Sequence, residues 1–335
     1  MRPMTLEQVA RATGGRVVAM TPTVIDRVAT DTRTLQADGG VLFIALRGER
    51  FDGHDHAAAA AAAGAGALLV ARQVDVPLPQ VIVADTTRAL ADLAAAAQHG
   101  RTGKVVAITG SNGKTSVKTL VLAILERVGN AYANPGNRNN EIGLPLAVID
   151  APEDAGFAIY EMGAGQPGDI ATLTAVVRPD VALVNNVAPA HLERMGSLLG
   201  VADTKAAIYD ALPAGGVAVI NADDAFAPYF AERAHGRTLL RFGIDATADI
   251  RARDIAQDAA GSRFVLVAPQ GEAEVTLALP GRHNVRNALA AAALALAAGA
   301  TLADVVAGLQ AARAVAGRLA AHRLGNGATL VDDSY

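Results

Sequence analysis

The rhythm of hydrophobic positions changes near residue 100. Before that point, short apolar runs are separated by polar turns and one Ala-rich stretch. Residues 5–13 predict a short helix, with Thr5 placed to cap it and Gly14-Gly15 to stop it. Strands are predicted at VLFIAL (41–46), ALLV (67–70) and QVIVA (80–84), with one helix starting about Asp55 and another running from Thr86 to about His99. The segment HGRTGK then separates two strongly patterned stretches and sets a boundary. Residues 1–101 are expected to form a small mixed α/β domain.

From Lys104 strand and helix alternate. VVAIT (105–109), FAIY (157–160), VALV (181–184) and VAVI (217–220) are continuous apolar runs, as strands buried on both faces of a parallel sheet require. A more polar β region (238–280) follows, then helices at 284–299 and 302–314. Residues 102–322 are expected to be one central domain. The closing run TLVDDSY starts a strand that stops almost at once, so residues 323–335 are expected to open a third, truncated domain. No internal repeat is visible.

Composition narrows the choices. A chain of 335 residues, 51% hydrophobic, is long enough for two or three packed cores. The Ala-rich runs at 55–70 and 287–300 suit closely packed helices. They are too weakly hydrophobic to make the roughly 18-residue apolar span of a membrane helix. The opening MRPMTLEQVARATGG lacks the apolar core of a secretion signal. Absence of cysteine excludes disulfides, thiolate metal sites and Cys nucleophiles, leaving a cytoplasmic location as the default. A net charge of -4 offers no general attraction to nucleic acid or anionic membrane, and a monomer is expected.

The sharpest motif is Gly110-Ser111-Asn112-Gly113-Lys114-Thr115, directly after VVAIT. A helix is predicted to follow, with Val117, Leu120, Val121, Ile124, Leu125 and Val128 at helical spacing. A Gly-rich turn in that place aims backbone N–H groups and the helix's positive end at an anion. Lys114 can reach terminal phosphates, and the Thr115 hydroxyl can ligate Mg²⁺. The usual spacing has a further Gly where this chain has Ile108, so the motif is the shortened TGSNGKT form. The expected fold class is therefore α/β: a small mixed domain, then a P-loop domain with a mainly parallel sheet. By contrast, GAG at 64–66 leads from helix into strand, the reverse of a dinucleotide loop, and reads as a turn.

Open α/β sheets bind ligands beyond the carboxyl ends of their strands. There FAIY runs into Glu161, VALV into Asn185-Asn186 with His191 close behind, and VAVI into Asn221 and Asp223. Singly, each reads as a cap or turn residue. Together, beside a phosphate loop, they point to a Mg²⁺-nucleotide site with hard ligands, unlike the Cys/His cage of structural zinc. His54 and His56 read as surface residues near a turn.

TGSNGKTSVK, GNRNNEIGLPL (136–146), EMGAGQPGDI (161–170), NVAPAHLERMGS (186–197), LPGRHNVRNALAA (279–291) and VDDSY (331–335) resemble the Mur ligases in order and approximate spacing. Within that family, NRNNEIG and DDSY look like the members that add D-alanyl-D-alanine. The stretch DTRTLQADGGVLFIALRGERFDGHD (31–55) is similar to the uridine-binding domain. The resemblance implies a ligase of peptidoglycan precursor synthesis. ATP phosphorylates the terminal carboxylate of a UDP-N-acetylmuramoyl tripeptide, and the amine of D-Ala-D-Ala displaces phosphate. Positioning and two Mg²⁺ ions would carry the catalysis.

Residue by residue, the resemblance implies that Gly110, Ser111, Asn112, Gly113, Lys114, Thr115 and Ser116 hold the ATP phosphates. Thr115, Glu161 and His191 would bind Mg²⁺, and Asn139 and Asn140 the muramoyl peptide. Thr32 and Arg33 would meet the uridine end, Asn284 adenine, Asp332 the ribose and Arg318 the transferred phosphate. Lys205 falls where the family has a carbamylated lysine, which would make it a further metal ligand; Lys114, Lys205 and Arg318 would be catalytic. From the residues alone, Lys205 is a solvated helix lysine, Asn284 a helix N-cap, and Thr32 and Arg33 turn caps.

There are departures from the pattern. AHLERMGS stands for the family's AHLEGFGS, and Ala207 for an acidic residue two positions after the lysine. The family's third domain, which brings the D-Ala-D-Ala pocket, is mostly missing, so this chain alone is expected to be inactive. Two other functions stay open. One is a non-catalytic nucleotide or UDP-sugar-binding module; the other is the neighbouring ligase that adds a diamino acid, which has a threonine-rich segment in place of NRNNEIG.

Overall fold

The computed structural model describes residues 1–18, 22–35, 40–313, 320–323, 325 and 329–332. It divides into two compact units, one of residues 1–102, 134–154 and 175–177, the other of 103–133, 155–174 and 178–335.

The first unit is built on a five-stranded sheet ordered Arg16–Val18, Gln80–Ile82, Ala67–Val70, Val41–Ile44, Arg27–Ala29. Only Arg16–Val18 runs antiparallel to its neighbour. Phe43, Leu68 and Val70 pack with Ala57 and Ala60 of the short helix Ala57–Ala62. Helix Leu6–Thr13 starts with a capping box between Thr5 and Gln8 and ends at Gly14 in the left-handed region, φ 64°. Asp85 caps helix Thr86–His99 by accepting the N–H groups of Thr87 and Arg88. Helix Gly143–Asp150 packs on Thr86–His99. Arg101 ties its end down by donating to the carbonyls of Val148 and Ala151.

The larger unit is a nine-stranded sheet ordered Gly271–Leu277, Ser262–Ala268, Ile250–Gln257, Thr238–Gly243, Val217–Asn221, Val181–Val184, Lys104–Thr109, Phe157–Glu161, Ala131–Ala133. Strand Ser262–Ala268 pairs antiparallel with both Ile250–Gln257 and Gly271–Leu277; the other neighbours are parallel. Strand Lys104–Thr109 lies between Phe157–Glu161 and Val181–Val184, so the chain builds outward on one side and then on the other. That reversal is the topological switch point, where a crevice opens at the strands' carboxyl ends.

Helices Lys114–Leu125 and Arg282–Ala298 pack together on this core, the second burying a nearly continuous run of Ala and Leu. Helix Leu302–Ala311 crosses so close to the first that a Cβ on Gly308 would sit 2.5 Å from the Ile124 Cα. Helix Lys114–Leu125 is a turn shorter than the apolar spacing predicts: the chain turns at 126–129, and Val128 is exposed. Strands Ala320–Arg323 and Thr329–Asp332 form a separate antiparallel pair. Among the described residues no helix is long and apolar enough to cross a membrane.

Candidate nucleotide-binding site

The loop after strand Lys104–Thr109 is fixed from behind by the segment after Val181–Val184. Ser111 N–H donates to the Asn186 carbonyl at 3.0 Å, and Asn112 N–H to Asn186 Oδ1 at 2.8 Å. Ser111 Oγ donates to the Ala188 carbonyl and accepts its N–H. Asn185 and Asn186 both donate through Nδ2 to the Asn112 carbonyl. Gly113 is the N-cap of the next helix at φ 79°, and a Cβ there would meet Asn185 Nδ2 and Asn287 Oδ1 at 2.7 Å. Both the conformation and the space require glycine. Lys114 curls back to donate to the Gly110 carbonyl at 2.8 Å and the Ser111 carbonyl at 3.4 Å. Thr115 and Ser116 follow on the first helical turn, whose N–H groups point toward the loop.

Glu161 ends its strand beside this loop and is buried. Its Oε2 accepts the Thr115 hydroxyl at 2.8 Å and lies 3.2 Å from Lys118 Nζ. The backbone after it is ordered by Asp169, which accepts the N–H groups of Gly165 and Gln166. Thr115 and Glu161 are thus brought together as expected. No contact joins His191 to them; it is exposed, in the left-handed region at φ 52°. Among the described residues, no group of three His, Cys, Asp or Glu is placed to hold a metal ion.

Lys205, in helix Leu198–Asp210, is not the solvated lysine that its residue type suggests: it is 3% exposed. That helix packs against strand Val181–Val184, which puts this face inward. Burial, and then the Lys114 ammonium, push its amine down from 10.5 to about 8. Among the described residues no hydrogen-bond or ion-pair partner holds it.

Asn284 is not the N-cap either. Helix Arg282–Ala298 is capped by Gly281, and Asn284, in the first turn and buried, donates to the Pro280 carbonyl at 2.8 Å. Asn287 donates to Asn284 Oδ1 at 3.4 Å, and Asn185 to Asn287 Oδ1 at 3.3 Å. This asparagine chain reaches the loop through the Asn112 carbonyl. Asn185 Oδ1 is buried and has no partner. Asn185 was visible at its strand end, whereas Asn287 and Lys118 were not singled out. The available signal for Lys118 was its spacing, three residues after Thr115 and four after Lys114 on one helix face.

The remaining predicted residues lie elsewhere. In the first unit Thr32 and Arg33 form a 3-10 turn capped by Asp31, so neither is the cap. Arg33 is paired with Asp31 at 2.6 Å, which with the Arg33 N–H holds that carboxyl down at about 2. Asn140 is exposed and accepts the Gly143 N–H at 2.8 Å; Asn139 is half-buried beside it. His54 is not on the surface but 4% exposed, gripped by Asp52 and the Ala71 N–H. Arg318 and the side chain of Asp332 lie outside the described residues.

A Gly-rich loop at the switch point of a parallel sheet, with lysine and threonine opening the next helix, defines a phosphate-loop nucleotide-binding protein. Residues 108–295 match the Mur ligase middle domain, and residues 24–101 match the model described as Mur ligase family, catalytic domain. The chain belongs to the Mur ligase family. It is 45% identical to the UDP-N-acetylmuramoyl-tripeptide–D-alanyl-D-alanine ligase of Escherichia coli (strain K12), over 100% of this chain and 74% of that protein. The crystal structure of MurF from Acinetobacter baumannii superposes with a TM-score of 0.96 at 35% identity, covering 100% of this chain and 74% of that one. MurF from Thermotoga maritima in complex with ADP gives 0.82 at 29% identity, with 92% and 71% covered.

Proposed function

We propose that this chain carries the ATP-dependent joining of D-alanyl-D-alanine to a UDP-N-acetylmuramoyl tripeptide. The observation that carries the reading is a fully formed phosphate loop in a chain 45% identical, along its whole length, to a ligase of that name. The diamino-acid ligase is a weaker match: a structure of that type shares the fold at TM-score 0.68 and 24% identity.

The chemistry follows from the poor electrophilicity of a carboxylate. An oxygen of the tripeptide's terminal carboxylate attacks the γ-phosphoryl group of ATP, and ADP leaves. The dipeptide amine attacks the acyl carbon of the resulting acyl phosphate. The C–N bond forms, the bond to the phosphate oxygen breaks, and the amine gives up a proton. Loop N–H groups and Lys114 hold and neutralise the phosphates, so the protein contributes placement and charge rather than a nucleophile.

Mg²⁺ fits the oxygen donors that meet in the structure, and Thr115 and Glu161 would hold it. When bound, it neutralises charge developing on the transferred phosphoryl group. His191 and Lys205 are proposed as further ligands. A lysine ammonium has no lone pair for a metal. Its neutral amine can add CO₂ and release a proton, giving a carbamate oxygen that can ligate. Burial without a carboxylate partner makes Lys205 suited to that exchange. Thr32, Arg33, Asn139 and Asn140 are proposed for the UDP-muramoyl peptide, Asn284 and Asp332 for the nucleoside, and Arg318 for the phosphoryl group. A cytoplasmic monomer belongs to the same proposal, supported by a cysteine-free chain.

Calorimetry with Mg-ADP and thermal-shift titration with the UDP-muramoyl tripeptide check the reading. Each ligand should stabilise the protein with its own concentration dependence. Nucleotide binding without any shift from millimolar tripeptide would overturn it in favour of a plain nucleotide-binding module.

A further inference from the structure

A buried carboxylate needs a counter-charge to remain ionised. For Glu161 the structure supplies one from within the phosphate-loop helix. Lys118 Nζ lies 3.2 Å from Oε2, with the two side chains 7% and 3% exposed. Thr115 donates to the same oxygen at 2.8 Å. Lys118 is flanked by the core residues Val117, Leu120 and Val121, positions where the helix otherwise buries only apolar side chains. An unbranched apolar residue would fill the same path; what lysine adds is charge.

We infer that Lys118 is a resident counter-cation, a positioning residue that holds the Glu161 carboxylate toward the loop and denies divalent cations a site made of protein alone. Mg²⁺ then enters only together with nucleotide. This rests on the nucleotide reading above and deepens it. Charge decides the matter: the Glu161 carboxylate is matched by Lys118, while Lys114 brings further positive charge to the loop beside it. Among the described residues no third acidic or imidazole ligand joins Glu161 to outweigh that balance. A bare dication gains little there. The nucleotide's phosphates supply both the negative charge and the oxygen ligands that Mg²⁺ ordinarily takes alongside one or two carboxylates.

Mn²⁺ titration of the full chain, read by loss of the free-ion EPR signal, tests this directly. The wild type should bind no Mn²⁺ at micromolar concentration by itself and should bind it with ADP. Lys118→Met should gain a nucleotide-free Mn²⁺ site at least about tenfold tighter than any in the wild type, because the carboxylate loses its ammonium. Mn²⁺ alone should then raise the melting temperature of Lys118→Met but not that of the wild type. Lys118→Arg, which keeps the charge, should behave as the wild type. The inference is overturned if the wild type binds Mn²⁺ as tightly without ADP as with it, a result independent of how any variant folds. It is equally overturned if Lys118→Met binds Mn-ADP yet gains no site for Mn²⁺ alone. Failure of the wild type to bind Mn-ADP at all would instead remove the nucleotide reading, and this inference with it.

Discussion

Two buried polar clusters, one in each unit, differ in what they leave unsatisfied. In the first unit His54 Nδ1 lies 2.5 Å from Asp52 Oδ1, and Nε2 accepts the Ala71 N–H at 2.8 Å. With both ring nitrogens used, the neutral tautomer protonated on Nδ1 is fixed. Asp52 also accepts the His54 N–H and Arg72, and the His54 backbone and ring hydrogen bonds hold it well below the usual carboxylate range. This cluster is closed: it pins the turn Gly53–His56 to the end of strand Ala67–Val70 and keeps nothing for a ligand. The larger unit buries Asn185 Oδ1 without a partner and Lys205 without a counter-ion. Burial of a polar group costs free energy unless it is compensated. A cluster with capacity left over is where a ligand's groups have something to complete, and a closed one is architecture.

The comparison breaks most sharply at Lys114. Lys114→Ala should cut nucleotide affinity by at least about a hundredfold. Its ammonium donates to the carbonyls of Gly110 and Ser111, acceptors that water can serve in the variant, so the melting temperature without ligand should move little. Calorimetry with Mg-ADP and a thermal melt read the two effects separately. Equal affinity in the two proteins would make the loop a structural turn like the His54 corner.

Lys205 should show the next largest effect, with opposite signs on activity and stability. Lys205→Met removes a buried ammonium and keeps the stem. Made in a protein that also carries the D-Ala-D-Ala-binding domain, the change should lower activity at least about tenfold, and Lys205→Ala should recover part of it with a short-chain carboxylate that stands in for a carbamate. Stability should rise, in a pH-dependent way. The fold lowers the Lys205 pKa from 10.5 to about 8, so between these values the unfolded chain binds more protons than the native one. Wild-type stability therefore gains as pH rises through that window, and the variant lacks this gain. In CO₂-free buffer the pH-dependent part of the variant's advantage should be greatest below pH 8, about 3 kcal/mol, and be gone above pH 10.5. Denaturant melts across that range that stay parallel would show that Lys205 is not held as an uncompensated buried amine.

Much of this contrast could be read from the chain, because its signals are local. Four apolar runs predicted the strands of the parallel sheet, and Glu161 and Asn185 were visible because a polar residue ended each run. The phosphate loop was legible for the same reason: strand, Gly-rich turn and helix are consecutive. What escaped depends on distant partners. His54 looked like surface because its second acceptor bond comes from Ala71, seventeen residues away. Lys205 looked solvated because only the packing of its helix on Val181–Val184 turns it inward. Asn284 looked like a cap because helical periodicity does not locate the first turn, which begins two residues earlier at Arg282. The return of residues 134–154 to the first unit is fixed by Arg101 and by the packing of helix Gly143–Asp150, neither of which leaves a mark in periodicity.

The closed cluster makes its own prediction, of intermediate size and confined to stability. His54→Ala strands the Ala71 N–H, takes a ring nitrogen from Asp52 and opens space beside the strand. A loss of about 2–4 kcal/mol is expected in denaturant unfolding, from an unpaired buried donor and lost packing together. Affinity for Mg-ADP should stay within about twofold, since His54 is given no part in holding nucleotide. A large loss of nucleotide affinity with little loss of stability would erase the distinction between the clusters.

The smallest effect sharpens the comparison within the first unit, where an open pair stands in the same unit as the closed one. Arg33 is 87% exposed and meets Asp31 through two guanidinium nitrogens, at 2.6 Å for the shorter contact. Such a pair contributes little to stability, because water and salt screen it. Its five donors nevertheless stand in the open, and only some are used by Asp31. Arg33→Ala should therefore leave the denaturation midpoint where the wild type has it. The Asp31 carboxyl should titrate higher in the variant, because the Arg33 side chain is the first cause of its value of about 2. In the wild type any stability from that depressed value is present above the ordinary carboxylate pKa and lost as pH falls through it toward 2; in the variant that acid-side loss should be smaller. If Arg33 also meets the uridine end of the UDP-muramoyl tripeptide, the variant should bind that ligand about three- to tenfold more weakly, the worth of one exposed charge-assisted contact. Its affinity for Mg-ADP should not change. Thermal-shift titrations with the two ligands separate these outcomes. Weaker binding of both would mean that Arg33 acts through the fold, and unchanged binding of the tripeptide would leave Arg33 as nothing more than the partner of Asp31.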